Sequence, residues 1–207
     1  YPLYSQDGTI EYLSALKKDG ILDQFDLPAY HRTEIEGWNR WLDWLIDEKK
    51  IDLLWMVNSD EIITLNEIEK ILNFVKKNEL TDLFKINFKN YCIDFNTYVD
   101  NFCVDRIWWT NKNQGIFRFF QDDLVEYKNN AKAPQCSSLI IPKKLAMPKH
   151  YSWVSKDENK IKRKLKFQKI RYKICSFRWN NELGKLELNP EYYSRMSQNL
   201  PTLFQDI

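Results

Sequence analysis

The sequence has little of several features that define large classes of protein. No stretch approaches the roughly 18 consecutive apolar residues that a membrane span needs, and the first residues lack the pattern of a signal peptide. The cysteines form no C-x-x-C pair and only two histidines accompany them, which argues against structural zinc and favours a reducing, cytoplasmic setting. These cysteines are Cys92, Cys103, Cys136 and Cys175. Basic residues number 31 and acidic residues 29, so net charge alone indicates neither a nucleic-acid nor a membrane partner.

Apolar and aromatic residues, by contrast, are abundant. The chain has 207 residues and is 43% hydrophobic, which is enough for one sizeable core. Aromatic residues make up 15%, with eight tryptophans. Their flat faces and polar edges suit sugars or nucleobases, although most of them must fill the core. The chain begins with Tyr1 rather than Met, so we expect a fragment or a processed chain.

Apolar spacing in the first sixty residues predicts helices that alternate with strands. Residues 5–20 and 34–50 carry apolar side chains at helical spacing. Polar and apolar residues alternate over 21–27, which predicts a short strand, and five consecutive large apolar residues at 53–57 predict a strand buried on both faces. This order of elements is typical of a parallel sheet with crossover helices.

Two carboxylates, Asp60 and Glu61, follow the apolar strand directly. Thr64 and Glu67 form a capping box that starts the next helix, so the two acids lie in a short loop after the strand. Ligands of open α/β sheets bind at this end of the strands, and paired carboxylates there suit a hard divalent cation. The alternative is an ordinary solvated turn.

The second half of the chain has a different pattern. Residues 83–93, 98–110 and 117–127 are predicted strands separated by asparagine-rich turns without long helices between them, and residues 138–141 form a further short strand. This pattern predicts a smaller mixed or antiparallel sheet. From Cys175 onward no periodicity is clear, and we expect a tail that wraps the core.

A strongly basic helix is predicted over residues 160–173, which begin with Lys160 and end with Lys173. A capping box at Ser155 and Glu158 opens it. Such a helix can bind phosphates or make a peripheral contact with an anionic membrane surface. The alternative is a solvated helix packed through one narrow apolar stripe, formed by Ile161, Leu165 and Tyr172.

Four short motifs occur in an order that resembles family 2 glycosyltransferases with the GT-A fold. They are S-Q-D-G-T at residues 5–9, N-S-D-E at 58–61, F-R-F-F at 117–120 and H-Y-S-W at 150–153, before the lysine-rich helix. The resemblance covers about residues 1–173. It implies an α/β, GT-A-like (Rossmann-like) fold, with a mostly parallel sheet flanked by helices and a smaller mixed or antiparallel sheet. It also implies a GT-A-like domain over 1–175 that lacks its first strand, and a C-terminal extension over 176–207 packed on the core.

The same resemblance implies a reaction, a cofactor and partners. The reaction is inverting transfer of a sugar from a nucleotide-diphosphate donor to a hydroxyl acceptor such as a glycan, with Mn²⁺ or Mg²⁺ stabilising the departing diphosphate. Asp60, Glu61 and His150 are the implied metal ligands, and an imidazole ligand favours Mn²⁺. An inverting transfer needs a carboxylate base, for which Asp122 and Asp123 are the candidates.

Donor and acceptor contacts are also implied by the resemblance. Asp7, Asn58 and Arg40 fall at donor-binding positions, although Asn58 replaces the first carboxylate of the metal motif and carries no charge. Trp108 and Trp109 could stack on the acceptor, but neighbouring side chains of a strand face opposite ways, so at most one faces the site.

Two other functions remain open at this point. A catalytically degenerate GT-A-like module would bind a carbohydrate or a partner without turnover, and Asn58 favours it. A nucleic-acid binder using residues 160–173 is the weaker alternative, because the near-zero net charge and the acidic strand end argue against nucleic acid.

Overall fold

The computed structural model describes residues 8–25, 34–110, 116–121, 124–128, 137–172, 175–196 and 198–206. The helices of these ranges are α1 Thr9–Lys18, α2 Glu34–Asp47, α3 Leu65–Lys77, α4 Glu158–Tyr172 and α5 Pro190–Arg195. The strands are β1 Leu53–Trp55, β2 Glu61–Ile62, β3 Leu83–Cys92, β4 Thr97–Trp109, β5 Ile116–Gln121, β6 Leu124–Lys128, β7 Ser138–Ile140, β8 Lys149–Trp153, β9 Phe177–Asn180, β10 Lys185–Leu188 and β11 Phe204–Gln205. The fold is mixed α/β and divides into two compact units, Tyr1–Leu53 with Thr110–Pro134 and Leu54–Trp109 with Gln135–Ile207.

The first unit contains α1, α2 and the antiparallel hairpin of β5 and β6. Both predicted helices are confirmed over the described residues. The strand predicted at 21–27 is wrong for residues 21–25, which form no strand. The amides of Ile21 and Leu22 donate instead to the Leu16 carbonyl, at 3.0 and 3.2 Å, and so extend the end of α1. No neighbouring strand competes for these amides in the described part of this unit.

A seven-stranded sheet forms the centre of the second unit. Its order is β1-β4-β3-β8-β2, with β11 added to β4 and β7 added to β3. The prediction of a mostly parallel sheet is wrong, because β3 with β4, β4 with β11, and β2 with β8 are antiparallel. Among the described residues, β3 pairs in parallel with β7 and with β8. The Asp94 carboxylate, which accepts the amides of Asn96 and Thr97 at 2.9 and 2.6 Å, closes a short turn between β3 and β4, and so short a connection allows only antiparallel pairing.

The apolar strand that precedes the acidic cluster lies at the edge of this sheet. Its residues 53–56 are only partly buried, and Val57 is 52% exposed. The expectation of a strand buried on both faces is therefore wrong. Beyond it, the predicted capping box of α3 is confirmed: the Thr64 hydroxyl accepts the Glu67 amide, and the Glu67 carboxylate accepts the Thr64 amide.

Helix α4 packs on the sheet through a narrow stripe, as one of the two sequence interpretations predicts. Ile161 and Leu165 are buried beside Trp153, Phe177 and Leu186. The helix begins at Glu158, two residues before the predicted Lys160. The Asp157 carboxylate accepts the amide of Asn159 at 2.9 Å, and the Ser155 hydroxyl accepts the amide of Asp157 at 3.1 Å. No helix in the described ranges is both long and apolar enough to cross a bilayer.

The C-terminal residues are more regular than the sequence suggested. Strands β9 and β10 form an antiparallel hairpin, in which the Arg178 Nε donates to Glu187 at 2.6 Å across the pair. Phe177 and Leu186 of this hairpin belong to the same apolar cluster as α4. The expected irregular tail is thus a hairpin, a short helix and a final strand, β11, which extends the central sheet.

Candidate functional site

The pairing of β2 with β8 brings Asp60 and His150 together. Glu61 and His150 are direct partners in this antiparallel pair, and the Tyr151 amide donates to the Asp60 carbonyl at 2.8 Å. As a result, Asp60 Oδ1 lies 3.6 Å from His150 Nε2, although the two residues are far apart in sequence. The His150 side chain is 7% exposed and that of Asp60 is 37% exposed, so the pair is open to solvent on the Asp60 side.

Neighbouring side chains determine the protonation of His150. Its Nδ1 lies 2.8 Å from Asn90 Oδ1, and since a carbonyl oxygen only accepts, Nδ1 carries the proton. The ring stacks on Phe102, with centroids 4.6 Å apart and planes inclined by 22°. Burial lowers the pKa of His150 to about 4, against the opposing effect of Asp60, so the imidazole is neutral near pH 7. The lone pair of Nε2 is therefore on the side of the ring that faces Asp60.

Glu61 has a different partner from its neighbour. Its Oε1 accepts hydrogen bonds from Arg106 Nε at 3.0 Å and Nη2 at 2.7 Å, and its Oε2 accepts the Asn58 amide at 3.3 Å. Both side chains of the ion pair are buried, with 0% of Glu61 and 2% of Arg106 exposed. Burial raises the pKa of Glu61, while the hydrogen bond and charge of Arg106 lower it. The expectation that Glu61 ligates a metal together with Asp60 is not supported by this arrangement, because Arg106 occupies its carboxylate.

A cleft of about 540 Å³ opens beside His150. Phe102 and Trp153 supply aromatic walls, and Lys164 and Ser152 supply polar groups. Lys164 Nζ donates to the Ser152 carbonyl at 2.6 Å and to the Ser152 hydroxyl. Burial lowers the pKa of Lys164, and the charge of Asp60 raises it. The cleft thus combines an imidazole nitrogen, a cation and apolar walls.

Three of the remaining predicted site residues fall in the same unit as this cleft but do not line it. Asn58 is exposed, and its carbonyl accepts the Glu61 amide at 3.0 Å in the turn before β2. Trp108 is fully buried and so has no face open to an acceptor sugar, whereas its neighbour Trp109 is partly buried. Of the two, only Trp109 remains a candidate for stacking.

The other predicted residues lie elsewhere. Arg40 is exposed and lines a small cavity of about 130 Å³ with Trp41 and Trp44, within the first unit. Asp7, Asp122 and Asp123 lie outside the described residues. Across the described ranges, no group of three or more His, Cys, Asp or Glu side chains is close enough to hold a metal ion by itself.

The sequence interpretation missed Asn90, Arg106 and Lys164. Arg106 has no clear local signal, because a register shift between Phe84 and Lys85 leaves it without a partner position on β3, so simple strand alternation does not predict its direction. Lys164 follows Ile161 by three residues, which places it at the border of the buried stripe of α4. Asn90 has no local signal, because its role comes from its pairing with His150 across β3 and β8.

Comparisons of the chain with protein-family models, with curated proteins and with solved structures find no match. The function is therefore argued from the geometry of this site and from the order of the motifs along the chain.

Proposed function

We propose that this protein is an inverting, metal-dependent glycosyltransferase that resembles family 2, with Asp60 and His150 as the metal-holding pair. One observation carries the proposal: Asp60 Oδ1 and His150 Nε2 lie 3.6 Å apart, and both are electron-pair donors. Among the described residues, no hydrogen-bond donor is placed between them. Two facing lone pairs repel unless a cation or a water molecule lies between them, and a divalent ion binds both.

The residues present fit Mn²⁺ or Mg²⁺. Two ligands of one ion, each at roughly 2.0–2.2 Å, can lie 3.6 Å apart. Asn90 holds His150 in the tautomer that a metal ligand needs, as the outer partners of ligating histidines do. One carboxylate and one imidazole favour Mn²⁺ over Mg²⁺. Only two protein ligands leave room for diphosphate oxygens, which is the usual arrangement for ions that bind substrate phosphates.

The residues around the pair suit a diphosphate group. When bound, the ion would neutralise the charge that develops on the departing diphosphate. Lys164 lies in the cleft beside His150 and could hold a phosphate oxygen by releasing Ser152. Phe102 and Trp153 would exclude water on the other side. The proposal keeps the roles that the resemblance implies for the other residues. The base is Asp122 or Asp123, and the donor contacts are Asp7, Asn58 and Arg40.

The test measures thermal stability with Mn²⁺ and uridine, guanosine or cytidine diphosphate. A ligand that binds only the native state raises the melting temperature by mass action, so at least one pair should stabilise the protein. Asp60→Asn should abolish that shift, because it removes a ligand charge without changing shape. Asp100→Asn is the matched control: its side chain is 36% exposed against 37% for Asp60, and it pairs with Lys143 away from the cleft. A flat response to every metal and nucleotide, or an equal loss in both variants, would contradict the proposal.

A degenerate binding module is the second candidate, and Asn58 in the place of the first carboxylate favours it. The two functions differ in turnover. If the metal and nucleotide bind but no nucleotide sugar is consumed, with water or with any glycan acceptor, the chain is a binding module. Release of nucleoside diphosphate from the sugar donor, followed by phosphorus NMR, would establish transfer or slow hydrolysis and so favour the enzyme.

A further inference from the structure

A second cleft, of about 650 Å³, lies between α4 and the β9–β10 hairpin. Its walls carry the cationic side chains of Lys162, Lys166, Lys169 and Arg178, together with the ring of Trp179. Among the residues that the structure describes, no carboxylate lines it. The lysine of the cleft beside His150, Lys164, does not line this one.

The positive charge of this surface is only partly neutralised. Lys162 pairs with Glu158, and Arg178 pairs with Glu187 at 2.6 Å. Lys166 and Lys169 are exposed, and no carboxylate of the described residues lies within ion-pair distance of either. The whole helix, ENKIKRKLKFQKIRY, has seven basic residues and one acidic residue. A solvated helix of a protein with balanced charge does not need such an excess.

Apolar side chains are exposed next to these cations. Phe167 is 57% exposed and lies about 100° around α4 from Lys166, so it borders the cationic side of the helix. Leu183, in the turn that follows Asn181 of the cleft, is 61% exposed. Lysines and arginines combined with exposed aromatic and aliphatic residues are typical of surfaces that lie on a bilayer, where the cations meet lipid phosphates and the apolar groups enter the interface.

We propose that this basic surface, formed by Lys162, Lys166, Lys169 and Arg178 with Phe167 at its border, docks the protein on an anionic phospholipid bilayer. The cleft would receive lipid phosphate groups, and Phe167 would enter the headgroup region. The excess positive charge is complementary to an anionic bilayer, which is why we favour a lipid surface as the partner. The proposal does not depend on the metal pair, since Asp60 and His150 do not line this cleft.

The test is co-sedimentation of the full chain with vesicles. We expect binding to vesicles of phosphatidylcholine with phosphatidylglycerol, no binding to phosphatidylcholine alone, and weakening with added salt. The double variant Lys166→Glu and Lys169→Glu should reduce binding about tenfold or more. The double variant Lys76→Glu and Lys77→Glu is the matched control, since it changes two exposed lysines at the end of another helix by the same total charge. Phe167→Ser should weaken binding less than the charge reversal does.

Three outcomes would overturn the proposal. The first is absence of binding to anionic vesicles, and the second is equal loss of binding in the two double variants, which would mean that net charge alone is responsible. The third is binding of a soluble ligand in place of vesicles. In that case inorganic phosphate or glycerol phosphate would raise the melting temperature of the parent protein but not that of the Lys166→Glu, Lys169→Glu variant, and vesicles would not bind. Loss confined to the α4 variant would support docking, whatever the response of the metal pair.

Discussion

Two aspartates on opposite faces of the central sheet have opposite surroundings. Strand β8 presents Lys149 to one face and His150 to the other. On the Lys149 face, Asp206 accepts hydrogen bonds from Lys89 and Lys149, each at 2.7 Å, and from the Tyr91 hydroxyl. On the His150 face, the Asp60 carboxylate lies 3.6 Å from His150 Nε2, which has no proton to donate. The nearby cation Lys164, whose pKa is lowered by burial and raised by the charge of Asp60, donates its hydrogen bonds to Ser152 instead. One carboxylate has its full set of donors and the other has none among the described residues.

Under the proposed function, this difference separates a carboxylate that holds the fold together from one that binds a metal ion. The donors around Asp206 hold the pKa of that carboxyl well below its usual range, and the same contacts raise the pKa of Lys149. Burial, followed by the contact with Asp206, raises the pKa of Tyr91. Buried or half-buried charges are normally paired. Asp60 is 37% exposed and faces a lone pair, so a water molecule or a cation must satisfy its charge, and the proposed function assigns that place to a cation.

Two adjacent carboxylates, Asp60 and Glu61, can also differ in whether they have hydrogen-bond donors. Glu61 follows Asp60 directly, yet its carboxylate is saturated by Arg106 and completely buried. Three predictions concern the surroundings of these carboxylates and test whether the presence of hydrogen-bond donors is what distinguishes Asp60 from Glu61 and Asp206.

The largest effect is expected at the buried ion pair. Arg106→Met leaves the buried Glu61 without its cationic partner, and we expect a loss of about 3–5 kcal/mol in the free energy of unfolding. Replacing both residues, with Glu61→Leu and Arg106→Met, should recover most of that loss because no charge remains buried. Urea denaturation of the two single variants and the double variant measures the coupling. A double variant no more stable than the singles would show that packing around Arg106, and not the charge, carries the effect.

An intermediate effect is expected at His150 and depends on pH. Its pKa in the folded protein is about 4, below the ordinary value of 6.5, so between these values the unfolded chain binds more protons. Stability from this group is therefore complete above pH 6.5 and is lost as the pH falls toward 4, by about 2–3 kcal/mol. His150→Gln should flatten this part of the curve, measured by denaturation in chelator. The other histidine of the sequence, His31, is present in both proteins. An unchanged slope would mean that His150 is not held neutral by burial.

The sequence predicts the helices of this protein better than its sheet, because helices depend on local signals. The Thr64 and Glu67 capping box, and the Ile161 and Leu165 stripe, act within four residues of one another, and both are confirmed. Strand direction depends on which strands meet. Nothing local to β3 indicates that it pairs with β4 in one direction and with β8 in the other.

The same limit applies to the site. Asp60 and His150 are found through the resemblance of their motifs, and the structure places them side by side. The sequence does not identify the residue that fixes the tautomer of His150, because Asn90 contacts His150 only through the register of β3 with β8. The sequence likewise does not identify Arg106, which is 45 residues from Glu61. Its hydrogen bonds to Glu61 leave that carboxylate unavailable as a second ligand beside Asp60.

The smallest effect is expected when the same substitution is made at the two aspartates that differ most. Asp206→Asn removes two ion pairs whose members are partly exposed, so solvent screening limits the loss to about 1–2 kcal/mol near pH 7. Because the folded pKa of Asp206 lies below its ordinary value of 3.8, its contribution is present above that value and disappears as the pH falls below it. The variant and the parent should therefore converge in acid.

Asp60→Asn, without metal, should cost nothing or add slightly to stability, because the amide can donate to His150 Nε2 where the carboxylate could not. Thermal denaturation of both variants in chelator, across acid and neutral pH, compares the two sites directly. If Asp60→Asn destabilises the protein as much as Asp206→Asn does, Asp60 is already satisfied within the fold. Asp60 would then need no cation, and the two aspartates would not differ in the way proposed.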